Sequence, residues 1–283
     1  MQILQDYSNI SQIYKSQHDN SQRTTSYYTA IHIPTNQKVF IKKINLHSER
    51  YIEYATEKYI LKEFSDPYLI CPVDIFELED YGYIISPFSK GGDLFDLITG
   101  ESWNINDRDL KTFAYHLLKL IRNFNHHGFI FRDLKPENII VELSKFNPDR
   151  FHVIDVASTY CRLTANFPNF RCTANYSPPE YYYYNVFSEN YDTWSVGIIL
   201  YVMVVRCFPV QYQECGPKEV IEIVSNDKIL FKDDEWNLIS DEMKKLISML
   251  LTFDCMKRPT ADEVLRMPIF TSFIANEQRN CAW

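Results

Sequence analysis

The sequence predicts an α+β protein in which a small strand-rich lobe precedes a larger and mainly helical lobe. Short β-branched and aromatic runs bounded by turn residues dominate the chain up to residue 86, whereas apolar residues at helical spacing dominate residues 93–272. The segment Ser86–Gly92 combines serine, proline and glycine, which is typical of a linker. We therefore expect a first lobe at 1–86, a hinge at 87–92, a second lobe at 93–272 and a short tail at 273–283.

The first lobe is predicted to contain two hairpins and one helix. The strand-like runs pair as Tyr27–His32 with Lys38–Lys43, and as Val73–Leu78 with Tyr83–Ile85. The signals for their turns are Pro34-Thr35-Asn36 and Glu79-Asp80-Tyr81-Gly82. Between the hairpins, Glu49–Phe64 has a helical pattern that ends before Asp66-Pro67, because the residue before a proline is disfavoured in a helix.

The second lobe is predicted to be built on helices. Asn106 is the expected N-cap of a long helix, because apolar residues follow it at helical spacing. The segment Ile198–Val205 is apolar on all sides, which is typical of a helix buried at the centre of a lobe. Further helices are predicted at Met243–Leu251 and Ala261–Met267.

Composition excludes several classes of function. With 283 residues, 46% hydrophobic and 23% charged, the chain is typical of a soluble globular protein. It has no run of about 20 apolar residues that would span a membrane, and its start does not resemble a signal peptide. Seven scattered cysteines without a C-x-x-C pair predict reduced thiols and a cytoplasmic location. A net charge of −8 argues against a general binder of nucleic acid or of membrane surfaces.

The segment Phe131–Asn138 carries the groups with the clearest chemical meaning. It places a carboxylate, an ammonium and a carboxamide on one short stretch, as Asp133, Lys135 and Asn138. The carboxylate can orient a hydroxyl and accept its proton, the ammonium can neutralise charge on a phosphate, and the amide oxygen can bind Mg²⁺. Together they indicate phosphoryl-transfer chemistry.

This segment resembles the catalytic loop of the eukaryotic protein kinases, H-R-D-L-x-x-x-N, with Phe131 in the place of the family's histidine. Further landmarks of that family follow in order over residues 12–271. They are Val39-Phe40-Ile41-Lys42 for V-A-I-K, Glu57 for the helix glutamate, Asp155-Val156-Ala157 for D-F-G, Pro178-Pro179-Glu180 for A-P-E, Asp192–Gly197 for D-x-W-S-x-G, and Arg258 for the arginine that pairs with the A-P-E glutamate.

The chain is thus identified as a member of the protein kinase family over residues 1–272, with the bilobal fold of that family expected. The segment Lys135–Asn138 resembles the serine/threonine branch, and Glu235–Ser240 is similar to the calcium/calmodulin-dependent group. The resemblance implies transfer of the γ-phosphoryl group of Mg·ATP to a protein hydroxyl.

The resemblance also implies roles for the catalytic groups. Asp133 is the expected catalytic base, and Asn138 with Asp155 are the expected Mg²⁺ ligands. Lys135 would neutralise charge on the transferred phosphate, or alternatively would only hold the loop. Thr173 is expected to contact both Asp133 and Lys135, as the family's equivalent threonine does.

For the nucleotide, the resemblance implies that Lys42, positioned by Glu57, holds the α- and β-phosphates. Ile140 would form the apolar floor under the adenine, and Ser89 would offer its backbone N–H to that base. Asp93 would reach the ribose or a basic side chain of the substrate, while an N-cap role for Leu94–Ile98 is the alternative.

The expected partner is a protein substrate, with Asp93 and Glu137 favouring a basic residue near the acceptor, and the chain is expected to be a monomer. Three hydroxyls, those of Thr159, Tyr160 and Thr164, are candidates for phosphorylation, with Arg132 as the cation that would receive the phosphate.

The sequence departs from the family where the nucleotide should bind. The family's G-x-G-x-x-G falls on Asn20–Thr25, which holds no glycine, so weaker ATP binding is expected, with the charge of Arg23 as partial compensation. Phe40 and Tyr27 replace smaller residues and add bulk to the expected adenine pocket, while Ser86 is unusually small for the back of that pocket. Ala157 replaces a glycine and restricts the backbone next to Asp155.

Three hypotheses about the function remain open from the sequence. Retention of Asp133, Asn138 and Asp155 favours an active kinase with modest ATP affinity. The alternative is a pseudokinase that binds partners while Phe40 and Tyr27 fill the adenine site. A kinase of small molecules is disfavoured, because the landmarks of the peptide-binding lobe, at Pro178–Glu180 and Asp192, are present.

Overall fold

The computed structural model describes residues 3–13, 25–89, 91–142, 146–162, 173–209, 231 and 233–280. The chain forms two compact units. The first comprises Met1–Lys90 with Val153–Thr159, and the second comprises Gly91–His152 with Tyr160–Trp283. The first is rich in strands and the second is rich in helices, so the predicted α+β class is confirmed.

The first unit contains a five-stranded antiparallel sheet with strand order β1-β2-β3-β5-β4. The strands are β1 (Tyr7–Gln12), β2 (Thr25–His32), β3 (Gln37–Asn45), β4 (Asp74–Leu78) and β5 (Tyr81–Pro87). Both predicted hairpins are present, as β2 with β3 and as β4 with β5. The second turn is tighter than predicted, because Tyr81 and Gly82 already pair with β4.

The two faces of this sheet have different roles. Val39 and Ile41 of β3 point to one face, where they join a buried cluster that contains Tyr7, Ala30, Tyr83 and Ile85. The alternate residues Phe40, Lys42 and Ile44 lie on the other face, since successive strand side chains alternate. The helix α1 (Tyr51–Glu63) contributes Tyr54 to a second buried cluster with Ile44 and Ile84 on that face.

The second unit is built on helices. Their bounds within the described residues are α2 (Leu94–Thr99), α3 (Asp107–His126), α4 (Pro179–Tyr184), α5 (Tyr191–Val205), α6 (Asp241–Leu250), α7 (Ala261–Leu265) and α8 (Thr271–Asn280). Short strands accompany them, as β6 (Gly92–Asp93), β7 (Phe129–Ile130), β8 (Ile139–Val141), β9 (Phe151–Val153) and β10 (Tyr160–Cys161). β6 pairs with β8, and β7 pairs with β10.

The predicted helices of this unit are present, with shifted ends. Asn106 caps α3, because its side chain accepts a 2.9 Å hydrogen bond from the backbone N–H of Asp109. α5 is buried almost throughout and begins at Tyr191, earlier than the apolar pattern predicts. Most of the predicted tail is helical: in α8, Glu277 accepts a 2.6 Å hydrogen bond from Lys119 of α3.

Among the residues that the structure describes, no helix has both the length and the apolar character needed to cross a bilayer.

Candidate active site

A buried ammonium group joins two carboxylates in the first unit. Strand β3 carries Lys42, whose Nζ lies 2.7 Å from Oε2 of Glu57 on α1 and 3.0 Å from Oδ1 of Asp155. Asp155 directly precedes a 3-10 helix, Val156–Ser158, that packs against α1. The contact between Lys42 and Glu57 expected from the sequence is therefore present.

The electrostatics of this group keep Lys42 charged. Burial alone would lower the pKa of Lys42, but the carboxylates of Asp155 and Glu57 raise it further than burial lowers it. Burial raises the pKa of Glu57, and its contact with Lys42 opposes that shift. The Asp155 side chain is 45% exposed.

Asp155 has an uncommon backbone conformation. Its φ of 58° and ψ of 70° lie in the left-handed region, which non-glycine residues rarely adopt. The next two residues, Val156 and Ala157, are buried and belong to the 3-10 helix. The turn that carries Asp155 is thus formed with alanine where the family has glycine.

Two aromatic rings lie on the Lys42 face of the sheet. Tyr27 is directly opposite Lys42 in the β2–β3 ladder, and Phe40 precedes Lys42 by two residues, so the three side chains share one face. The ring centroids of Tyr27 and Phe40 are 5.7 Å apart. Burial raises the pKa of the Tyr27 hydroxyl, although 39% of the residue remains exposed. Two aromatic rings thus share the sheet face of Lys42, while their effect on an adenine pocket stays a prediction.

The structure describes only some of the other residues of this unit that the sequence predicts near the nucleotide. Ser86 belongs to β5, where it pairs with Phe40, rather than to the predicted linker. Ser89 is exposed and follows β5. The glycine-free segment Asn20–Thr24, with Arg23, lies outside the described residues, while Thr25 is the first residue of β2.

In the second unit, the carboxylate of Asp133 is held from several sides. Lys135 Nζ lies 3.0 Å from Oδ2, and Thr173 donates to Oδ1 from its hydroxyl at 2.6 Å and from its backbone N–H at 3.2 Å. Thr173 also accepts a 2.8 Å hydrogen bond from Lys135, so the predicted contact of Thr173 with both residues is confirmed. Asn138 donates from Nδ2 to the backbone carbonyl of Asp133 at 2.8 Å.

Asp192 fixes the backbone that leads into Asp133. Its two carboxylate oxygens accept hydrogen bonds from the backbone N–H groups of Phe131 at 2.7 Å and Arg132 at 2.9 Å. Burial raises the pKa of Asp192 to about 6, although the two backbone donors oppose that shift. Arg132 has a φ of 72°, a left-handed conformation that these bonds help to hold.

Asp93 and Ile140 are neighbours in the β6–β8 pair. Oδ1 of Asp93 accepts a 2.8 Å hydrogen bond from the backbone N–H of Asp96, so the N-cap role considered from the sequence is confirmed. Burial raises the pKa of this carboxyl. Ile140 is half-buried, which leaves apolar surface for a ligand. Their roles toward a nucleotide stay predictions.

The pair expected between Glu180 and Arg258 is present and buried. Nη1 of Arg258 lies 2.7 Å from Oε1, and Nη2 lies 2.9 Å from Oε2, with side-chain exposures of 0% and 4%. The guanidinium also stacks over Trp194 of α5 at 4.9 Å. This arrangement supports the segment that follows Thr173.

The candidate phosphorylation sites differ in accessibility. Thr159 is fully buried, so its hydroxyl is closed to a modifying enzyme in this conformation. The ring of Tyr160 stacks on Phe187 at 4.9 Å. Thr164 lies outside the described residues. Sequence reasoning did not single out Phe187, because nothing in its local sequence signals its contacts.

The fold and the polar groups of each unit lie at the positions where the sequence resembles the protein kinase family. The sequence profile of the protein kinase domain matches residues 23–270. The chain therefore belongs to the protein kinase domain family, and the resemblance to its serine/threonine branch is confirmed.

Known proteins agree with this assignment. Ribosomal protein S6 kinase 2 alpha of Gallus gallus is 29% identical over 245 residues, which cover 85% of this chain and 32% of that protein. Ribosomal protein S6 kinase alpha-1 of Rattus norvegicus is 28% identical, with coverage of 85% and 33%. The chain thus spans about a third of the length of these relatives.

Two solved structures share the fold. "Titin kinase and its flanking domains" superposes with a TM-score of 0.80 at 20% identity, covering 95% of this chain and 47% of that one. The autoinhibited serine kinase domain of the giant muscle protein titin gives a TM-score of 0.76 at 21% identity, with coverage of 92% and 79%. At these identities the likeness concerns the fold alone.

Proposed function

We propose that this chain is an active serine/threonine protein kinase that transfers the γ-phosphoryl group of Mg·ATP to a protein hydroxyl. The observation that carries the proposal is the fixed carboxylate of Asp133, with Lys135 at 3.0 Å and Thr173 at 2.6 Å. A base held on both oxygens is preorganised to orient a hydroxyl.

The residues present fit a magnesium–nucleotide complex. Asn138 uses Nδ2 for its bond to Asp133, which leaves the carboxamide oxygen, the atom that Mg²⁺ takes. Asp155 engages Lys42 through Oδ1, and its side chain is 45% exposed. When bound, Mg·ATP supplies the phosphoryl group and neutralises the charge that develops on it. Asn138 and Asp155 would each give one oxygen to the metal.

The role proposed for Asp133 is that of the catalytic base. The carboxylate would orient the hydroxyl and accept its proton, while Lys135 would supply positive charge next to the transferred group. Lys135 already bonds both Asp133 and Thr173, so it also holds the loop. These two roles of Lys135 are compatible, and neither changes the class of reaction.

Several residues are proposed to bind the nucleotide. Lys42, kept charged and positioned by Glu57, would hold the α- and β-phosphates. Ser89 would donate its backbone N–H to the adenine, and Ile140 would pack against the base. Asp93 would contact the ribose with the carboxylate oxygen that does not cap α2. Because Tyr27 and Phe40 add bulk beside Lys42, we expect modest affinity for ATP.

The substrate would be a protein with a basic residue near the acceptor. Glu137 is exposed and directly precedes Asn138, so it offers negative charge close to the catalytic groups. We place this activity in the cytoplasm as a monomer, in keeping with the free thiols of Cys71, Cys161, Cys207 and Cys255.

A second candidate function is a pseudokinase that binds protein partners without catalysis. One observation favours it, namely the Tyr27–Phe40 pair beside Lys42. In this alternative the two rings occupy the volume that a nucleotide base would need. The polar set around Asp133 would then serve only to stabilise the second unit.

The experiment that separates the two functions measures binding and transfer in parallel. Melting temperature is recorded with increasing Mg·ATP, since a ligand at about 100 times its Kd stabilises by about 2.7 kcal/mol. Transfer from ATP labelled at the γ-phosphate is measured on peptide arrays with serine or threonine acceptors. We expect both signals from the unchanged chain, and loss of transfer in Lys42→Met. A flat melting temperature without transfer would favour the pseudokinase.

A further inference from the structure

The guanidinium of Arg132 stacks on an aromatic ring in the second unit. Its Cζ lies 4.5 Å from the ring centroid of Phe187, in the distance range of a cation–π contact. Arg132 is only 3% exposed, so the contact is shielded from water, where such interactions are strongest. Sequence comparison predicts a different role for this arginine, as the cation that receives a phosphate.

Phe187 is itself fixed by other aromatic residues. Its ring stacks on Tyr160 of β10 at 4.9 Å, and it contacts Tyr181 of α4 at 5.5 Å and Tyr191 of α5 at 5.8 Å. We name Phe187 with these three tyrosines the aromatic cluster. The cluster joins three separate elements of the second unit, and Phe187 is its member in contact with the Arg132 guanidinium.

The contact is directly connected to the catalytic carboxylate. Arg132 precedes Asp133 in the chain, and its backbone N–H donates to Asp192 at 2.9 Å. Arg132 also has a left-handed φ of 72°, which a non-glycine residue keeps only when its surroundings hold it. Phe187 contacts the side chain of Arg132, and Asp192 binds its backbone. Both contacts therefore influence the position of the next residue, Asp133.

We propose that Phe187 is a positioning residue for Asp133, which acts through Arg132 and keeps the catalytic loop assembled without a phosphate on the chain. The described residues support this, because Arg132, the cation expected to receive a phosphate, is buried and its guanidinium lies 4.5 Å from the ring centroid of Phe187. Thr159, one of the candidate phosphate acceptors, is buried. The proposal rests on the kinase activity proposed above, and it adds that this activity is independent of phosphorylation.

The test compares Phe187→Ala with Phe187→Trp in the full chain. Alanine removes the ring, whereas tryptophan keeps a face for the guanidinium. Val186→Ala is the matched control, because it changes the neighbouring exposed residue and leaves the ring in place. The kcat and the KM for ATP are measured on each protein, before and after treatment with a broad-specificity phosphatase.

We expect kcat to fall about tenfold or more in Phe187→Ala, the size of effect that loss of a desolvated cation–π contact brings, with an unchanged KM for ATP. Phe187→Trp should recover most of the activity, and phosphatase treatment should leave the unchanged chain fully active. Loss of activity after phosphatase treatment, or wild-type kcat in Phe187→Ala, would overturn the proposal.

Amide hydrogen exchange provides a readout that does not need catalysis. The backbone N–H groups of Phe131 and Arg132 donate to Asp192, so they should exchange faster in Phe187→Ala than in Val186→Ala or the unchanged chain. Equal exchange in all three proteins would contradict a positioning role. If the unchanged chain transferred no phosphate at all, the proposed function would fail while this comparison still decided whether Phe187 positions the loop.

Discussion

The ring of Tyr27 lies 5.7 Å from the ring of Phe40, on the sheet face that also carries Lys42. The two candidate functions differ in the role of this pair. In an active kinase the rings leave room for the nucleotide base, whereas in a pseudokinase they occupy its site. The ammonium and carboxylate groups are those that the proposed kinase activity needs, while the two rings lie on the same sheet face as Lys42. Substitutions that remove a ring should therefore change the affinity for Mg·ATP while the groups needed for catalysis stay in place.

Removal of one ring should improve nucleotide binding. Phe40→Ala removes a half-buried ring from the sheet face of Lys42, so we expect a lower Kd for Mg·ATP even though stability falls by about 1–2 kcal/mol, less than for a fully buried ring. The affinity is measured by titration calorimetry. Tyr28→Val is the matched control, because Tyr28 lies next to Tyr27 on the same strand and packs against the opposite face. An unchanged or weaker affinity in Phe40→Ala would show that the rings do not limit binding.

The buried pair of Lys42 and Glu57 should be costly to break. Lys42→Met leaves the carboxylate of Glu57, which is only 5% exposed, without its 2.7 Å partner, so we expect a loss of about 3 kcal/mol in the free energy of unfolding. Lys58→Met is the control on the same helix, because Lys58 and Glu77 form an exposed pair worth about 1 kcal/mol or less. Urea denaturation measures both, and equal losses would contradict this reasoning.

Thr173 should matter to catalysis through its hydroxyl. Thr173→Val removes the 2.6 Å bond to Asp133 and the 2.8 Å bond from Lys135, so we expect kcat to fall about 10²-fold, the usual size of an effect on a general base. Thr173→Ser keeps the hydroxyl and should retain most of the activity. Steady-state kinetics on a peptide substrate decides the matter. Wild-type kcat in Thr173→Val, or a loss in Thr173→Ser as large as in Thr173→Val, would contradict a specific role of the hydroxyl.

Arg258 should not be replaceable by lysine. Its guanidinium bonds both oxygens of Glu180 and stacks on Trp194, which an ammonium cannot do at once. We expect Arg258→Lys to lose about 3 kcal/mol of unfolding free energy, because Glu180 is left buried with an incomplete set of donors. A loss below about 1 kcal/mol would show that the site relaxes around a lysine.

Titration of Asp192 should make the free energy of unfolding decrease as the pH rises. Its pKa is raised from the ordinary 3.8 to about 6 in the folded protein, so the folded state binds this proton more tightly than the unfolded chain. Its stabilising contribution is fully present below the unfolded pKa and is lost as the pH rises through the folded pKa of about 6. The loss is of the order of 3 kcal/mol at neutral pH.

The measurement is the difference in unfolding free energy between the unchanged chain and Asp192→Asn, followed from acidic to neutral pH. Because asparagine does not titrate, this difference should move against the unchanged chain by about 3 kcal/mol over that interval. A shift in the opposite direction would show that the backbone donors outweigh burial and depress the pKa.

The elements with a local signal could be predicted from the sequence. The N-cap at Asn106 and the apolar spacing after it predict α3, and the turn at Pro34-Thr35-Asn36 predicts the β2–β3 hairpin. Strand β1 could not be predicted in this way. Its sequence is polar, only Tyr7 is buried, and it is stabilised by pairing with β2 rather than by its own pattern.

The sequence predicts the end of strand β5 incorrectly. The residue types of Ser86 and Pro87 predict a linker, yet both residues belong to β5. Pro87 pairs with Val39 at the last position of the strand, where its missing N–H is tolerated, and Phe88 then continues with a 3.0 Å bond to the carbonyl of Lys38.

The same distinction applies to the site. Motif order predicts that Thr173 contacts Asp133 and that Glu180 pairs with Arg258, because each residue belongs to a recognisable segment. The stacking of Arg132 on Phe187 joins positions far apart in the chain, and neither residue carries a local sign of the contact. Such contacts depend on packing of the whole unit, which sequence pattern does not specify.

Whether this chain transfers phosphate through Asp133, with Tyr27 and Phe40 in place, is decided most directly by mass spectrometry of a serine- and threonine-containing peptide library after incubation with Mg·ATP. The unchanged chain is compared with Asp133→Asn, which keeps the shape of the side chain and removes the base. We expect phosphate on peptides only with the unchanged chain. Peptides without phosphate in both samples, together with no rise in melting temperature on adding Mg·ATP, would contradict the proposed kinase activity and favour a pseudokinase.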